Sequence, residues 1–256
     1  MRSFHELADL TGRGALVVGG AGHLGRVACT VLRELGADVV SADVPGADLP
    51  AGGASLEVDL HDEAATRALV PATVDLLGRL DVLVHCAAYT GANAAQGWAT
   101  EFADQSVEAW DRAYRVNVTS AFVLAQAARK PLAAHGRGSI VLFASIYGFL
   151  APDFRLYAGT EMHSPAGYSA SKAALLQLTR YLSTCLAPEV RVNALSPGGV
   201  ARGQDPAFVD RYEHGTPLGR MATEEDVKGA VAYLASDLSG YVTGTNLCVD
   251  GGRSVW

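Results

Sequence analysis

Short apolar runs rich in β-branched residues recur along the chain, and longer stretches with helical spacing separate them. The runs are Ala15 to Val18, Asp38 to Ala42, Val82 to Cys86, Ser139 to Phe143 and Arg191 to Leu195. Runs of that length and composition read as buried strands. The helical stretches are Leu24 to Leu35, Ala64 to Leu77, Val107 to Ala128 and Ser169 to Leu186. Such alternation predicts right-handed βαβ units and therefore an α/β fold: a doubly wound parallel sheet with helices on both faces. In that architecture ligands collect at the carboxyl ends of the strands.

Composition narrows the class of ligand. The 256 residues fit one domain, 1–256, and no repeat or linker divides them. With 49% hydrophobic and 18% charged residues the chain is globular, and no apolar run approaches the length of a membrane span. A net charge of −7, with no basic stripe to offset it, opposes nucleic acid and anionic membrane as partners and favours a small molecule. Cys29, Cys86, Cys185 and Cys248 lie far apart without CxxC spacing or a histidine pair, so neither a disulfide framework nor a metal site is expected. A cytoplasmic protein without a secretion signal is the expectation.

After the first strand comes Gly19-Gly20-Ala21-Gly22-His23-Leu24-Gly25, which contains GxGxxG and opens directly into a helix. Glycines there allow a tight turn and let a pyrophosphate approach the backbone amides at the positive helix end. Asp43 ends the second strand, where a carboxylate can accept hydrogen bonds from an adenosine ribose and would repel a 2′-phosphate. The pair reads as a Rossmann dinucleotide site for NAD rather than NADP. Asp43 could equally cap a turn before Pro45.

A second group carries chemistry. Tyr168 and Lys172 stand one helical turn apart, so that a phenol and an ammonium share one face. A free phenol titrates near 10, and a nearby cation is the means by which it could exchange protons at neutral pH. Ser145 follows the strand Ser139 to Phe143, at the carboxyl end of the sheet. Asn117 lies inside the helical stretch Val107 to Ala128, a position asparagine disfavours unless its amide finds partners.

These pieces, in this order and over nearly the whole chain, resemble the short-chain dehydrogenase/reductase family. The resemblance implies hydride transfer between a nicotinamide cofactor and a secondary alcohol or ketone, with Asn117, Ser145, Tyr168 and Lys172 as the catalytic tetrad. It implies that Gly19, Gly20, Gly22, His23, Leu24 and Gly25 form the cofactor loop and that Asp59 and Leu60 meet the adenine. It further implies that Cys86, Ala87, Ala88, Pro197, Gly198 and Val200 line the cofactor beside Tyr168 and Lys172, and Val249-Asp250-Gly251-Gly252 matches the family's carboxyl-terminal signature. A homotetramer or homodimer is implied too, through a seam of long helices.

The sequence also departs from the family pattern. Val18 and His23 replace a threonine and a glycine of the usual TGxxxGxG, and His85-Cys86-Ala87-Ala88 replaces NNAG. The threonine usual after the PG pair is missing from Val200-Ala201-Arg202-Gly203-Gln204. Ser145 and Tyr168 are separated by an insertion, 148–166, of a kind found in dehydrogenases of flagellin modification and surface-sugar biosynthesis. That segment is expected to wall the substrate pocket with Tyr147, Arg155, Tyr157 and His163, opposite a substrate loop at 199–216 that includes Gly199, for a sugar or cyclitol. Two alternatives stand beside this reading. One is a nucleotide-sugar epimerase or dehydratase, which the 84 residues after Lys172 leave too little chain to build; the other is an NAD-binding regulator without turnover.

Overall fold

A computed structural model describes residues 1–89 and 97–256. Seven parallel strands form one sheet in the order β3-β2-β1-β4-β5-β6-β7. They are β1 (Gly14–Val18), β2 (Asp38–Asp43), β3 (Ala54–Glu57), β4 (Val82–His85), β5 (Gly138–Phe143), β6 (Val190–Pro197) and β7 (Asn246–Val249). Every residue of β1, β4 and β5 is buried, as expected for strands covered by helices on both faces. Strand order reverses between β1 and β4, which opens a crevice at their carboxyl ends.

The helices are α1 (Phe4–Ala8), α2 (His23–Glu34), α3 (Glu63–Leu77), α4 (Val107–Tyr114), α5 (Ser120–Ala133), α6 (Ala166–Cys185), α7 (Pro206–His214) and α8 (Glu225–Ala235). Two apolar layers follow from strand alternation. Leu16 and Val18 of β1 face α3, α5 and α6 through Leu69, Leu124 and Leu175. Ala15 and Val17 face the other way, onto α2 and α8 through Ala28, Leu32, Val231 and Leu234. A third cluster stands apart, in which Leu156 packs with Phe208, Tyr212 and Met221.

Several sequence expectations are corrected. The stretch Val107 to Ala128 is not one α-helix: a π turn, Arg115–Thr119, separates α4 from α5, which runs on to Ala133. Apolar spacing cannot reveal one extra residue per turn when the backbone stays helical on both sides. The first strand reading around β4 ends at His85 rather than Cys86, and α6 starts at Ala166, behind Pro165, rather than at Ser169. The 199–216 segment is not a simple loop, since α7 occupies its centre. Asp205 caps that helix by accepting from the Ala207 N–H, and Pro206 begins it.

Candidate active site

A cleft of about 710 Å³ opens over the carboxyl ends of β1, β2, β4, β5 and β6. At one end lies the glycine turn. Gly19 has φ +84°, and a Cβ there would collide with the Ala87 amide; a Cβ on Gly25 would collide with the Gly19 carbonyl. Bare backbone therefore lines this wall, and α2 starts at Gly22 without a side-chain cap. Its first N–H groups face the cleft as an anion-binding end.

The Asp43 carboxylate serves the turn as well as the cleft. One oxygen accepts from the Ala21 N–H at 2.9 Å and the other from the Val44 N–H at 2.8 Å. Each oxygen keeps a second lone pair for a ligand hydroxyl. Asp59 accepts from the His61 N–H and faces its Nδ1, both at 2.9 Å, and those bonds hold its carboxyl below the usual range. Val58, Leu60, Cys86, Ala87 and Ala88 complete this half. Burial drives the Cys86 thiol well above its ordinary pKa, which makes it a packing group rather than a nucleophile.

At the other end Ser145, Tyr168 and Lys172 converge. Ser145 is 8% exposed, and its hydroxyl accepts from the Tyr147 N–H at 3.2 Å. Tyr168 stands in the first turn of α6, where the helix dipole favours negative charge. Burial nevertheless raises its pKa, against the downward pull of the Ser145 hydroxyl and the Arg202 guanidinium. Lys172 is 2% exposed, donates to the Phe143 carbonyl at 2.7 Å, and holds its ammonium 5.6 Å from the centre of the Tyr168 ring. Burial lowers its pKa to about 8. At neutral pH the phenol therefore keeps its proton and the lysine keeps most of its charge.

Asn117 lies on the π turn, wholly buried. Its Oδ1 accepts from the Tyr89 N–H at 2.6 Å and its Nδ2 donates to the Ser171 Oγ at 2.8 Å, while Ser171 donates to the Tyr168 carbonyl. The amide thus ties the end of β4 to the first turn of α6, which answers why asparagine is tolerated there. His85 is buried beneath the same floor. Ser120 gives its single proton to the Val116 carbonyl, so the 2.7 Å contact requires His85 Nε2 to donate. Its Nδ1 is left as a bare acceptor without a partner among the described residues.

Three of the residues expected to touch substrate, Tyr147, Tyr157 and Arg155, have partners within the chain. Tyr147 and Tyr157 bond to each other through their hydroxyls at 2.8 Å, and the Tyr157 ring lies 5.3 Å from that of Phe208 on α7. Arg155 points into solvent and is clasped by Asp153 at 2.8 Å through two bonds. Neither these three nor His163 is among the described residues lining the cleft, and Gly199 lines a separate cavity of about 120 Å³ with Tyr212. From segment 148–166, Leu156, Tyr157 and Met162 pack on α7, while Phe149, Phe154 and the Arg155–Asp153 pair face solvent. Sequence reasoning missed Arg112, Arg202 and Gln204 as cleft residues. Arg202 stands where the usual threonine is missing, and that was the available signal.

Among the described residues no group of acidic, histidine or cysteine side chains could hold a metal, and no helix is long and apolar enough to cross a membrane. The bare glycine wall, the uncapped start of α2 and Asp43 fit a dinucleotide. Comparison with known proteins agrees. A family model described as enoyl-(acyl carrier protein) reductase matches residues 20–254. The 4-formylbenzenesulfonate dehydrogenase TsaC1/TsaC2 of Comamonas testosteroni is 36% identical, over 94% of this chain and 97% of that one. A 3-alpha-(or 20-beta)-hydroxysteroid dehydrogenase of Mycobacterium bovis is 34% identical, over 95% and 90%. A short chain dehydrogenase from Leptospira borgpetersenii with bound NAD+ superimposes with a TM-score of 0.86 at 29% identity, over 100% and 97%. With sheet order, cleft and family match in agreement, the chain belongs to the short-chain dehydrogenase/reductase family, oxidoreductases acting on CH–OH groups.

Proposed function

We propose that the chain is an NAD-dependent dehydrogenase of a cyclic secondary alcohol, running reversibly to the ketone, with Ser145, Tyr168, Lys172 and Asn117 as its working residues. The observation that carries this reading is the convergence of a serine hydroxyl, a phenol and a buried ammonium on a cleft that also holds the glycine turn. The nicotinamide, when bound, supplies or accepts the hydride.

The protein's own groups do the rest. In reduction, Ser145 and Tyr168 hold the ketone oxygen, and Tyr168 passes its phenolic proton to that oxygen as negative charge grows there. Oxidation is the reverse, with the phenolate taking the alcohol proton. Forming that phenolate costs energy in a buried site, and Lys172 together with the start of α6 offsets it. The lysine also has donors left over from Phe143 for the ribose hydroxyls of the cofactor. The Asn117 amide bonds to Tyr89 and Ser171 and keeps one lone pair and one N–H beyond them to hold a water on the way to Lys172.

Preference for NAD rests on Asp43, whose fixed carboxylate would oppose a 2′-phosphate. A cyclic alcohol is favoured over a sugar because Arg155 of segment 148–166 pairs with Asp153 in solvent and because the hydroxysteroid dehydrogenase relative is named for a ring alcohol. The chain is proposed to assemble as a dimer or tetramer. Val107, Trp110 and Phe122 on α4 and α5 and Tyr181 on α6 are exposed apolar groups suited to a helix seam, and light scattering that finds monomer alone refutes it.

A screen of ring alcohols and ketones by nicotinamide absorbance, with wild type and Tyr168→Phe, tests the activity. Loss of the phenolic proton is expected to lower kcat roughly a hundred- to ten-thousand-fold with cofactor affinity retained. Turnover that survives intact in Tyr168→Phe removes the mechanism.

A further inference from the structure

Of the side chains lining the cleft, Arg202 is the cation that lacks an assigned task. Arg112, the other arginine there, pairs with Glu108 at 3.4 Å. Lys172 is bound to Phe143, and His23 leans on Glu224 at 3.4 Å. The Arg202 guanidinium has no hydrogen bond and no ion pair among the described residues. The Arg202 backbone N–H donates to the Gln204 Oε1 at 2.6 Å.

The loop that carries it is braced. Gln204 Nε2 donates to the Val200 carbonyl at 2.7 Å, the Ala201 N–H donates to Ala222 at 2.9 Å, and Ala222 returns a bond to Gly199 at 2.9 Å. A fixed stub therefore holds over the cleft a guanidinium that feels the Glu224 carboxylate and bonds to nothing among the described residues. The guanidinium lines the same cleft as Ser145, Tyr168 and Lys172, and burial lowers its pKa against the upward pull of the Glu224 carboxylate and the Tyr168 phenol. A planar fork of donors without a hydrogen-bond partner among the described residues, on the wall of the cleft that Ser145 and Tyr168 also line, matches a carboxylate or sulfonate bidentately.

We propose that Arg202 recognises an anionic group on the substrate, so that the preferred alcohols are hydroxy acids whose carboxylate or sulfonate docks on Arg202 while the carbinol meets Ser145 and Tyr168. This inference rests on the dehydrogenase reading and names its substrate class. The diphosphate of the cofactor carries similar chemistry, yet it has its own donors at the start of α2, on the glycine wall.

The test compares cyclohexanols bearing a ring carboxylate with the matching carboxamides, in wild type, Arg202→Met and Arg202→Lys. Wild type is expected to favour the acid, and Arg202→Met to lose that preference, the ratio of kcat/KM for acid over amide falling on the order of 10- to 100-fold. Arg202→Lys should keep part of it. Titration of the same acid and amide into the NADH complex, followed by fluorescence, gives the ratio of affinities even where turnover is slow. A ratio near one in wild type overturns the proposal. So does an unchanged ratio in Arg202→Met with weakened binding of NADH and ADP-ribose, which assigns the arginine to the diphosphate instead. Absence of turnover with every alcohol, combined with acid-selective binding that Arg202→Met abolishes, defeats the dehydrogenase reading alone and leaves the anion site standing.

Discussion

Acidification from about pH 8 to about pH 5 is expected to cost the wild-type protein about 2 kcal/mol more folding stability than it costs His85→Asn. The imidazole is wholly buried, its Nε2 donates to Ser120 and its Nδ1 has no partner among the described residues. Burial, with the Lys172 ammonium acting in the same direction, lowers its pKa from 6.5 to about 3. A histidine whose folded pKa lies below its unfolded value is neutral in the native state while the unfolded chain takes up a proton. No penalty exists above about pH 6.5, and below it stability falls by about 1.4 kcal/mol per unit until the native imidazole itself titrates near its lowered pKa. At about pH 5 this amounts to about 2 kcal/mol. Asparagine keeps a donor for Ser120 and does not titrate, and any loss from its smaller volume is the same at every pH. Other titrating groups, Lys172 and Cys86 among them, are present in both proteins and cancel in the difference. Urea denaturation at fixed protein concentration across this range gives both curves. Parallel curves would refute the reasoning, since they would mean that water reaches Nδ1 or that the ring is charged in the native state.

Two further expectations follow from the site and its surroundings. Asp43→Ala should narrow the preference for NAD over NADP, because a carboxylate near a 2′-phosphate is worth about 1–4 kcal/mol at 4 Å depending on exposure; equal Kd ratios in both proteins would refute its selective role. Arg155→Ala should leave stability within about 0.5 kcal/mol, whereas Leu156→Ala should cost about 2 kcal/mol or more by emptying the cluster with Phe208 and Tyr212, as thermal unfolding would report.

The central strands were readable because they are buried on both faces, so that Leu16, Val17 and Val18 stand in unbroken apolar runs. The edge strands β3 and β7 are half exposed, and Ala-Ser-Leu-Glu or Asn-Leu-Cys-Val carries little pattern in so few residues. The start of α7 was in fact signalled by Asp205-Pro206, a cap followed by a proline in the first turn. Tyr168 and Lys172 could be paired from spacing alone, whereas Ser145 and Asn117 come beside them only through the sheet and the π turn. Charge within an insertion suggests a ligand for Arg155, and Asp153 two residues earlier is the partner the structure gives it. Arg202 offers no periodicity to detect beyond the missing threonine, and its lack of a hydrogen-bond partner among the described residues is visible only once its neighbours are in place.

The separate packing of Leu156, Phe208, Tyr212 and Met221 has a consequence for how the protein breathes and changes over generations. Residues of that corner touch one another rather than the two layers that sandwich the sheet, so the corner can open while the sheet stays closed. Amide exchange should accordingly be fast from Phe154 to Tyr157 and along α7, and slow in β1, β4 and β5. A corner that opens on its own can also be rewritten on its own. New side chains at 148–166 and along α7 would alter what reaches the mouth of the cleft, while the glycine turn, the π turn and the buried ammonium keep their places.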